Sequence, residues 1–477
     1  MELETSAGRA GKYVGLPLRW RVFPLLAAGT PLFAQVVITF VTGKHGAERD
    51  LGQLAIATSV GSVISLVGDL GTGSGLVRLG ASTIATDRAG YVWSTRLVTA
   101  LGALTFTLFA FVATALFDFR LGSVSETQLL LSIAAGSLLL MTGQELLISS
   151  VLAGPDAWAR LVILRAFVGG GVYVIAYFAF ALSPYVSYLV SAVVLAALVI
   201  PSAAAILRVG RPVIRFPVAF RLIGDGARLT LGTIAGAGSV MGAPLLIVAF
   251  TDIELVGSLR ALMLVSGGVG ALVANYLGGV YFPSLTSTAD PSAQNEKFLS
   301  TFRLVVAASG MLVLVPFSGL ILKRLGLSVL VGQRHAWALI IVSDTIRMAT
   351  AVLAYFVLVR SGIRAFVIRE VTNGLIFLTL VALAAGEKRL SLIAGAYALG
   401  AIMNFGLYLM TAWPLLHTVG RHKMMKLVAL FLLLAGSNLL IADYPAVLLL
   451  AGMLVVSLLG SDVVLTQKGA TGRSDRP

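Results

Sequence analysis

The chain has 477 residues, of which 58% are hydrophobic and 12% are charged, and its formal net charge is +14. This composition leaves little sequence for a soluble domain. Because the basic residues stand mostly at the ends of apolar stretches, the charge indicates membrane topology rather than a nucleic-acid partner. The chain contains no cysteine, which excludes disulfides and thiol chemistry.

In chain order, roughly fourteen apolar stretches of about 15–25 residues run from Val22 to Leu465, separated by short polar joints. Each is long enough to cross a hydrocarbon core of about 30 Å as a helix. The sequence therefore predicts an all-α polytopic membrane protein with about 14 transmembrane helices. The predicted spans lie near 22–42, 51–77, 97–117, 127–153, 161–182, 186–207, 229–250, 255–279, 304–322, 336–359, 366–385, 391–412, 427–441 and 446–465.

The distribution of lysine and arginine predicts the orientation of these helices. If the N-terminus is cytoplasmic, the inner segments carry about 25 of these residues and the outer joints about 9, which satisfies the positive-inside rule. We therefore predict a multi-pass protein of the cytoplasmic (inner) membrane with both termini cytoplasmic. Gly43–Asp50 and Lys323–Trp337 are predicted to face outward. The first apolar run is full length, which favours an uncleaved helix over a signal peptide.

The order of the spans indicates a repeat. Helices 1–6 and helices 7–12 form blocks of nearly equal length, and both begin on the cytoplasmic side, as in a parallel repeat of two six-helix bundles. Two C-terminal helices have no repeat partner. The predicted organisation is a cytoplasmic N-terminus 1–21, a first bundle 22–207, a basic linker 208–228, a second bundle 229–412, two further helices with their preceding loop 413–465, and a cytoplasmic tail 466–477.

The joints between helices argue against an enzyme. None exceeds about 25 residues, too short for the extramembrane domain with paired carboxylates or a nucleotide site that membrane glycosyltransferases and polymerases use. No Gly-x4-Gly-Lys-Ser/Thr loop is present, which disfavours ATP-driven transport by this chain alone. The four histidines stand in joints without metal-ligand spacing. We therefore predict a carrier without a cofactor or metal.

Two motifs in the first half resemble a known family. Leu51–Ala55 (LGQLA) followed by Val67–Arg78 (VGDLGTGSGLVR) resembles the second helix of bacterial polysaccharide flippases, where an Asp-Leu-Gly turn precedes a small-residue run ending in arginine. Glu145–Gly154 (ELLISSVLAG), leading into Trp158–Arg160, is similar to the fourth helix of that family and the loop after it.

Further matches lie in the second half. Phe282–Leu285 (FPSL) resembles the exit of the eighth helix, and Pro316 with Leu325–Leu327 resembles the ninth helix and the segment beyond it. Over about Val22–Ala412 the chain is thus similar to Wzx-type lipid-linked oligosaccharide flippases of the multidrug/oligosaccharidyl-lipid/polysaccharide exporter (MOP) superfamily. The resemblance implies export of a polyprenyl-pyrophosphate oligosaccharide for cell-surface polysaccharide biosynthesis, by alternating access between the two bundles.

The most deeply placed basic residue, Arg347, is the strongest candidate for binding such a substrate. It stands about halfway along predicted helix 10, and Asp344 lies one turn before it on the same helix face. The two residues form either a neutralising pair that holds helices together or an anion site for pyrophosphate. Arg260, inside predicted helix 8, is the second candidate and either faces the cleft or extends to the surface. Arg96 and Arg165 stand near inner helix ends, where topology explains them.

Acidic and amide side chains inside the spans suggest ion coupling. An unpaired carboxylate at Glu145 could carry a proton or bind Na⁺, and Asp344 is the second candidate for coupling to an H⁺ or Na⁺ gradient. Asp69 is interpreted first as structural. Other polar residues predicted to line the cleft or to hold helices together are Gln144, Asn275 and Asn404.

Two alternatives to the flippase remain open. One is a cation-coupled multidrug exporter of the same superfamily, whose cationic substrates favour acids and aromatic residues over arginines in the cleft. The other is a non-transporting membrane scaffold of a cell-envelope assembly. The sequence does not identify the sugar, the coupling ion or the oligomeric state. Besides the lipid-linked substrate and H⁺ or Na⁺, the expected partners are membrane lipids, and no nucleic acid is expected.

Overall fold

The computed structural model describes residues 18–72, 76, 87–117, 122–207, 210–286, 288, 290–312, 333–416 and 418–441. The secondary-structure elements in these ranges are helices. Nine segments of the described chain are long and apolar enough to cross a membrane. The prediction of an all-helical membrane protein is therefore confirmed. The predicted count of about 14 spans is not tested, because most of helix 9, all of helix 14 and the C-terminal tail lie outside the described residues.

Five helices form the N-terminal half of the described chain. They are α1 (Leu18–Gly68), α2 (Arg88–Phe117), α3 (Glu126–Ala153), α4 (Pro155–Val174) and α5 (Pro184–Leu207). A short π-helical turn, Ile175–Ala179, extends α4. α3 packs against α5, and α4 packs against α1 and α5, so that these helices form a common bundle.

α1 contains both of the first two predicted spans. It is a continuous 51-residue helix, about 76 Å if straight, more than twice the hydrocarbon thickness. Ile38, Val41 and Leu54 nevertheless pack around the same two tyrosines, Tyr173 and Tyr177. α1 is therefore not straight, and the residues on either side of the predicted joint lie beside the same part of α4 and its π-helical extension. The joint predicted at residues 43–50 is helical in the structure, and we refer to the residues before and after it as the first and second halves of α1.

The remaining helices follow a short segment attached to α2. Trp93 Nε1 donates a hydrogen bond to the Gly210 carbonyl at 3.2 Å, and Ser94 Oγ accepts one from the Arg215 backbone amide at 3.0 Å. The Arg215 guanidinium also lies 2.7 Å from Asp87. Helix α6 (Phe216–Phe250) begins at the next residue. Most of the predicted linker 208–228 is therefore the first part of a helix, and Arg208 lies outside the described residues.

Eight further helices complete the described chain. They are α7 (Ile253–Leu262), α8 (Leu264–Tyr276), α9 (Phe282–Thr286), α10 (Pro291–Leu312), α11 (Arg334–Ser361), α12 (Ile363–Gly386), α13 (Leu390–Ala412) and α14 (Thr418–Ile441). α11 is the most buried of the candidate spans and packs against α8, α10, α12, α13 and α14. Predicted helix 8 is divided at Met263 into α7 and α8, and a π-helical turn joins α8 to α9.

Glycine contacts bring the second half of α1 against the C-terminal helices near both of its ends. At one end, a Cβ on Gly257 of α7 would overlap the Glu48 carbonyl oxygen, and a Cβ on Gly52 would overlap that of Ile253. At the other end, a Cβ on Gly226 of α6 would overlap the backbone of Gly71. Gly71 has a φ of 76°, in the left-handed region that favours glycine. The two halves of the molecule are thus in backbone contact at both ends.

Candidate functional site

A cavity of about 750 Å³ lies between α1, α6, α8, α11, α12 and α13. We call it the polar cavity, because its lining includes seven charged or amide side chains. These residues are Gln35, Asp69, Asp344, Arg347, Glu370, Asn373 and Asn404. Such groups are expensive inside a membrane and usually face a water-filled path or a substrate, so this cavity is the candidate site.

Arg347 contributes a guanidinium held by aromatic rings. Its Cζ atom lies 4.9 Å from the ring centroid of Phe377 and 4.8 Å from that of Tyr397. Its Nη1 is 3.8 Å from Asp344 Oδ1, which is too long for a hydrogen bond. Both Nη1 and Nη2 are buried without a hydrogen-bond partner among the described residues. The rings fix the guanidinium plane and leave its terminal donors unused.

Asp344 is held by a neighbouring helix. Its Oδ2 accepts a hydrogen bond of 2.7 Å from Ser266 Oγ on α8, and its side chain is buried. The i, i+3 spacing predicted from the sequence places Asp344 and Arg347 on one face of α11, as expected. Because Asp344 is anchored by Ser266, it balances the charge of Arg347 without occupying the guanidinium donors.

Three polar cavity residues were missed from the sequence: Gln35, Glu370 and Asn373. Glu370 is buried, accepts a hydrogen bond from the Tyr408 hydroxyl, and packs so closely on Gly236 that a Cβ there would overlap its carboxylate. The hydropathy pattern places Glu370 near the end of predicted helix 11. α12 begins at Ile363, however, so Glu370 lies about two turns inside the helix. No basic side chain is paired with Glu370 among the described residues.

Amide groups add hydrogen-bonding capacity to the polar cavity. The Oδ1 atoms of Asn373 and Asn404 are buried and accept no hydrogen bond from described residues. Asn404, predicted either to line the cleft or to hold helices together, lies in the cavity wall. Asn275 lies in α8, but its side chain is outside the described part of the structure.

Glu145 is not unpaired, contrary to the premise of its predicted coupling role. Arg96 Nε and Nη2 donate to its two carboxylate oxygens at 2.6 and 2.7 Å, and the Arg96 guanidinium lies 4.9 Å from the Trp93 ring centroid. The reason is that α2 begins at Arg88, so Arg96 is two turns inside the helix rather than at its end. Glu145 does not line the polar cavity, and this arrangement favours a structural role.

Removing the Glu145 carboxylate should therefore lower stability. Glu145→Ala leaves the partly buried Arg96 without its partner, and we expect a loss of up to about 3 kcal/mol. The double variant Arg96→Met/Glu145→Leu removes both charges and should recover most of that loss. Thermal unfolding in detergent measures the effect, with Glu387→Ala at the exposed end of α12 as the control. A Glu145→Ala variant as stable as the parent would contradict the structural role.

Asp69 follows the last residue of α1. Its Oδ1 accepts hydrogen bonds from Gln144 Nε2 and, at 2.9 Å, from Thr72 Oγ1. The backbone then enters the left-handed region at Leu70, with φ of 48°. These contacts agree with the structural interpretation of Asp69, which holds α1 to α3 beside the cavity.

Arg260 is not in the wall of the polar cavity. It lies on α7 within electrostatic range of Tyr188 and Tyr173, both from the N-terminal half. Arg165 also lies near Tyr188, about ten residues inside α4, because that helix begins at Pro155 rather than near residue 161. The structure therefore does not bring Arg260 together with Arg347, and Arg347 is not the only basic residue deep inside a helix.

Comparisons with known proteins identify the fold. No family model matches the chain, and no curated protein matches its sequence. Among solved structures, the chain is similar to the lipid II flippase MurJ in an inward closed conformation, with a TM-score of 0.60 and 13% identity over 94% of this chain and 100% of that chain.

Two other similar structures are transporters as well. A MOP superfamily transporter from Pyrococcus furiosus matches with a TM-score of 0.58 and 12% identity over 83% of this chain and 96% of its own. An outward-facing multidrug resistance MATE family transporter of the same superfamily matches with a TM-score of 0.55 and 12% identity over 85% and 97%. The chain therefore has the fold of MOP superfamily transporters, as predicted. The Wzx-type branch stays a prediction.

Proposed function

We propose that the chain carries a polyprenyl-pyrophosphate oligosaccharide across the bacterial cytoplasmic membrane, for the synthesis of a cell-surface polysaccharide. The observation that supports this most is the guanidinium of Arg347, which offers two unused donors to a cavity inside the membrane. Planar Nη donors match phosphate oxygens. A cavity that presents an arginine in this way suits an anionic head group better than a cationic drug.

The free-energy cost of moving a charged head group through the membrane accounts for the other polar groups of the cavity. The polyprenyl tail is stable in the bilayer, whereas moving the charged head through hydrocarbon costs many kcal/mol. Arg347 supplies the counter-charge for the pyrophosphate. Asn373, Asn404 and Gln35 supply amide groups of the kind that hydrogen-bond sugar hydroxyls.

The contacts of α1 support the proposal of alternating access. These contacts join the two halves of the molecule at Gly226 and at Gly257. If the halves rock against each other, one contact opens while the other stays closed, which exposes the polar cavity to one side at a time. In this cycle Arg347 stays in place and the access to it changes.

Energy is proposed to come from an ion gradient, with Glu370 as the coupling group. Glu370 is a cavity carboxylate that no basic side chain of the described chain neutralises. Such a group can gain and lose a proton, or bind and release Na⁺, as its access to water changes. Asp344 remains the second candidate for coupling, whereas Glu145 forms an ion pair with Arg96.

The coupling proposal predicts the behaviour of Glu370→Gln. This change keeps the shape and hydrogen bonding but removes the charge, so transport driven by an imposed H⁺ or Na⁺ gradient should fall by about tenfold or more. Substrate binding in the absence of a gradient should remain. The measurement is uptake into proteoliposomes, with Glu387→Gln, at the exposed residue that follows α12, as the matched change. Gradient-driven transport at the parental rate would exclude Glu370 as the coupling residue.

A binding experiment separates this proposal from its competitors. The purified chain is titrated with a polyprenyl-pyrophosphate oligosaccharide and, separately, with a lipophilic cation. We expect saturable binding of the first and loss of that binding in Arg347→Ala. Binding of the cation alone would favour the multidrug exporter. The acids Asp344 and Glu370 in the cavity wall are the observation that favours this alternative. Binding of neither would favour the scaffold.

A further inference from the structure

A second cavity, of about 1,110 Å³, lies on the far side of the α6–α12 pair from the polar cavity. We call it the lateral groove. It is lined by α1, α2, α3, α6 and α12, and its wall includes Val63, Phe109, Ile133, Leu245, Leu375 and Leu378. It is larger than the ~300–1,000 Å³ of ordinary small-molecule pockets, and the carrier mechanism above does not use it.

The chemistry of the lateral groove is that of hydrocarbon. Its lining includes two polar side chains among the described residues, Ser239 and Thr379. Each donates its hydroxyl to a carbonyl of its own helix, Ser239 to Gly236 at 2.6 Å and Thr379 to Leu375 at 2.9 Å. A water molecule in the groove would find no free partner there. The groove therefore suits an apolar occupant.

The lateral groove opens sideways, toward the bilayer. Phe109 on α2 is 69% exposed and Leu375 on α12 is 65% exposed. In a chain that spans a membrane, such side chains face lipid. Along α6 the lining runs from Ile234 to Ala249, about 22 Å at the helical rise. An extended hydrocarbon chain can therefore enter from the bilayer and lie along most of the ~30 Å apolar layer.

The lateral groove also adjoins the polar cavity. Successive residues of α12 face the two spaces in turn, Glu370 and Asn373 the cavity, and Val371 and Gly374 the groove. Leu66, on the second half of α1, lines both. Its Cδ2 atom is 3.1 Å from the position of a Cβ on Gly238 of α6. Leu66 thus lies at the boundary between the two spaces, packed against a glycine of α6.

We propose that the lateral groove holds the polyprenyl tail of the substrate while Arg347 holds its pyrophosphate, with the chain passing between α1 and α6 beside Leu66. This inference rests on the proposed function. It assigns the two chemically different parts of one amphiphile to two adjoining spaces. One contains a guanidinium whose Nη atoms have no hydrogen-bond partner among the described residues, and the other has no unpaired polar side chain in its described lining. An ordinary phospholipid acyl chain is the competing occupant.

Photo-crosslinking distinguishes the two occupants. A benzoylphenylalanine replaces Leu375 in the groove or, as a matched control, Leu383, which is 69% exposed on the same helix and outside the groove. The vesicles contain phosphatidylglycerol and a small fraction of polyprenyl-pyrophosphate oligosaccharide. We expect position 375 to capture the polyprenyl lipid about tenfold above its share, and Arg347→Ala to remove that excess. Equal lipid ratios at positions 375 and 383 would overturn the inference.

A comparison of substrates with long and short tails distinguishes failure of this inference from failure of the proposed function. Binding of the full substrate is compared with binding of an analogue that has the same head on a two-isoprene tail. We expect the short analogue to bind at least about tenfold more weakly, and Leu66→Trp to reduce the difference. If both lipids bind equally and both require Arg347, the groove does not hold the tail but the function stands. If neither lipid binds, the proposed function itself fails.

Discussion

Arg347→Ala is expected to abolish transport of the lipid-linked oligosaccharide, because it removes the positive charge that the polar cavity offers to the pyrophosphate. Arg347→Lys keeps the charge but loses the planar pair of Nη donors and the stacking on Phe377 and Tyr397. We expect this variant to transport about tenfold more slowly, which corresponds to ~1.4 kcal/mol. The measurement is translocation in proteoliposomes, normalised to the amount of folded protein.

If Arg347 had only a structural role, Arg347→Ala would also lose transport, because less folded protein would form. A double variant distinguishes the two explanations. Removing Arg347 alone leaves Asp344 buried without its counter-charge, which destabilises a protein. The double variant Arg347→Ala/Asp344→Ala removes both charges and should restore expression but not transport. Restoration of both would show that the pair only holds helices together, and the phosphate site would then be sought at Arg260.

Gly226→Ala is expected to prevent closure at one end of the molecule and to stop transport. A methyl group there would overlap the Gly71 backbone, which cannot move aside as a flexible side chain can. Gly257→Ala should have the corresponding effect at the other end, where the neighbour is the Glu48 carbonyl. Gly224→Ala is the matched control, because no atom lies within 4 Å of its added Cβ.

The effect of these two substitutions can be measured as a change in the accessibility of the polar cavity. The chain contains no cysteine, so a single cysteine at Met241 in the cavity wall can be labelled from either side of the membrane. From the predicted topology, Gly226→Ala should increase labelling from the cytoplasmic side and Gly257→Ala from the outer side. Increases on the same side, or a Gly226→Ala variant indistinguishable from Gly224→Ala, would contradict alternating access through these contacts.

The sequence predicted the helices well and their ends poorly. Hydropathy falls where polar residues occur, although the helix itself continues, so α2, α4 and α12 begin before the predicted spans. Arg96 was consequently assigned to a helix end and its ion pair with Glu145 was missed, and Glu370 was not recognised as a membrane-buried acid. A partner on another helix stabilises such a residue inside the membrane, and no periodicity within one helix reveals that partner.

The candidate site was predictable only where its residues lie within one helix. The i, i+3 spacing of Asp344 and Arg347 lies within one helix, so the sequence placed the two residues on one face correctly. Phe377 and Tyr397 come from two other helices, and Ser266 from a third. Which helices are neighbours depends on tertiary packing, and so the aromatic support of Arg347 and the lateral groove became visible only in the structure.

Translocation by the purified chain tests the central claim most directly. Proteoliposomes are prepared with a polyprenyl-pyrophosphate oligosaccharide whose sugar is destroyed by a membrane-impermeant enzyme once it reaches the outer face. With an ion gradient imposed, we expect the protected fraction to fall rapidly with the parent chain and to stay constant with Arg347→Ala. A protected fraction that stays constant with the parent chain, in vesicles that do export a lipophilic cation, would contradict the account and identify a multidrug exporter.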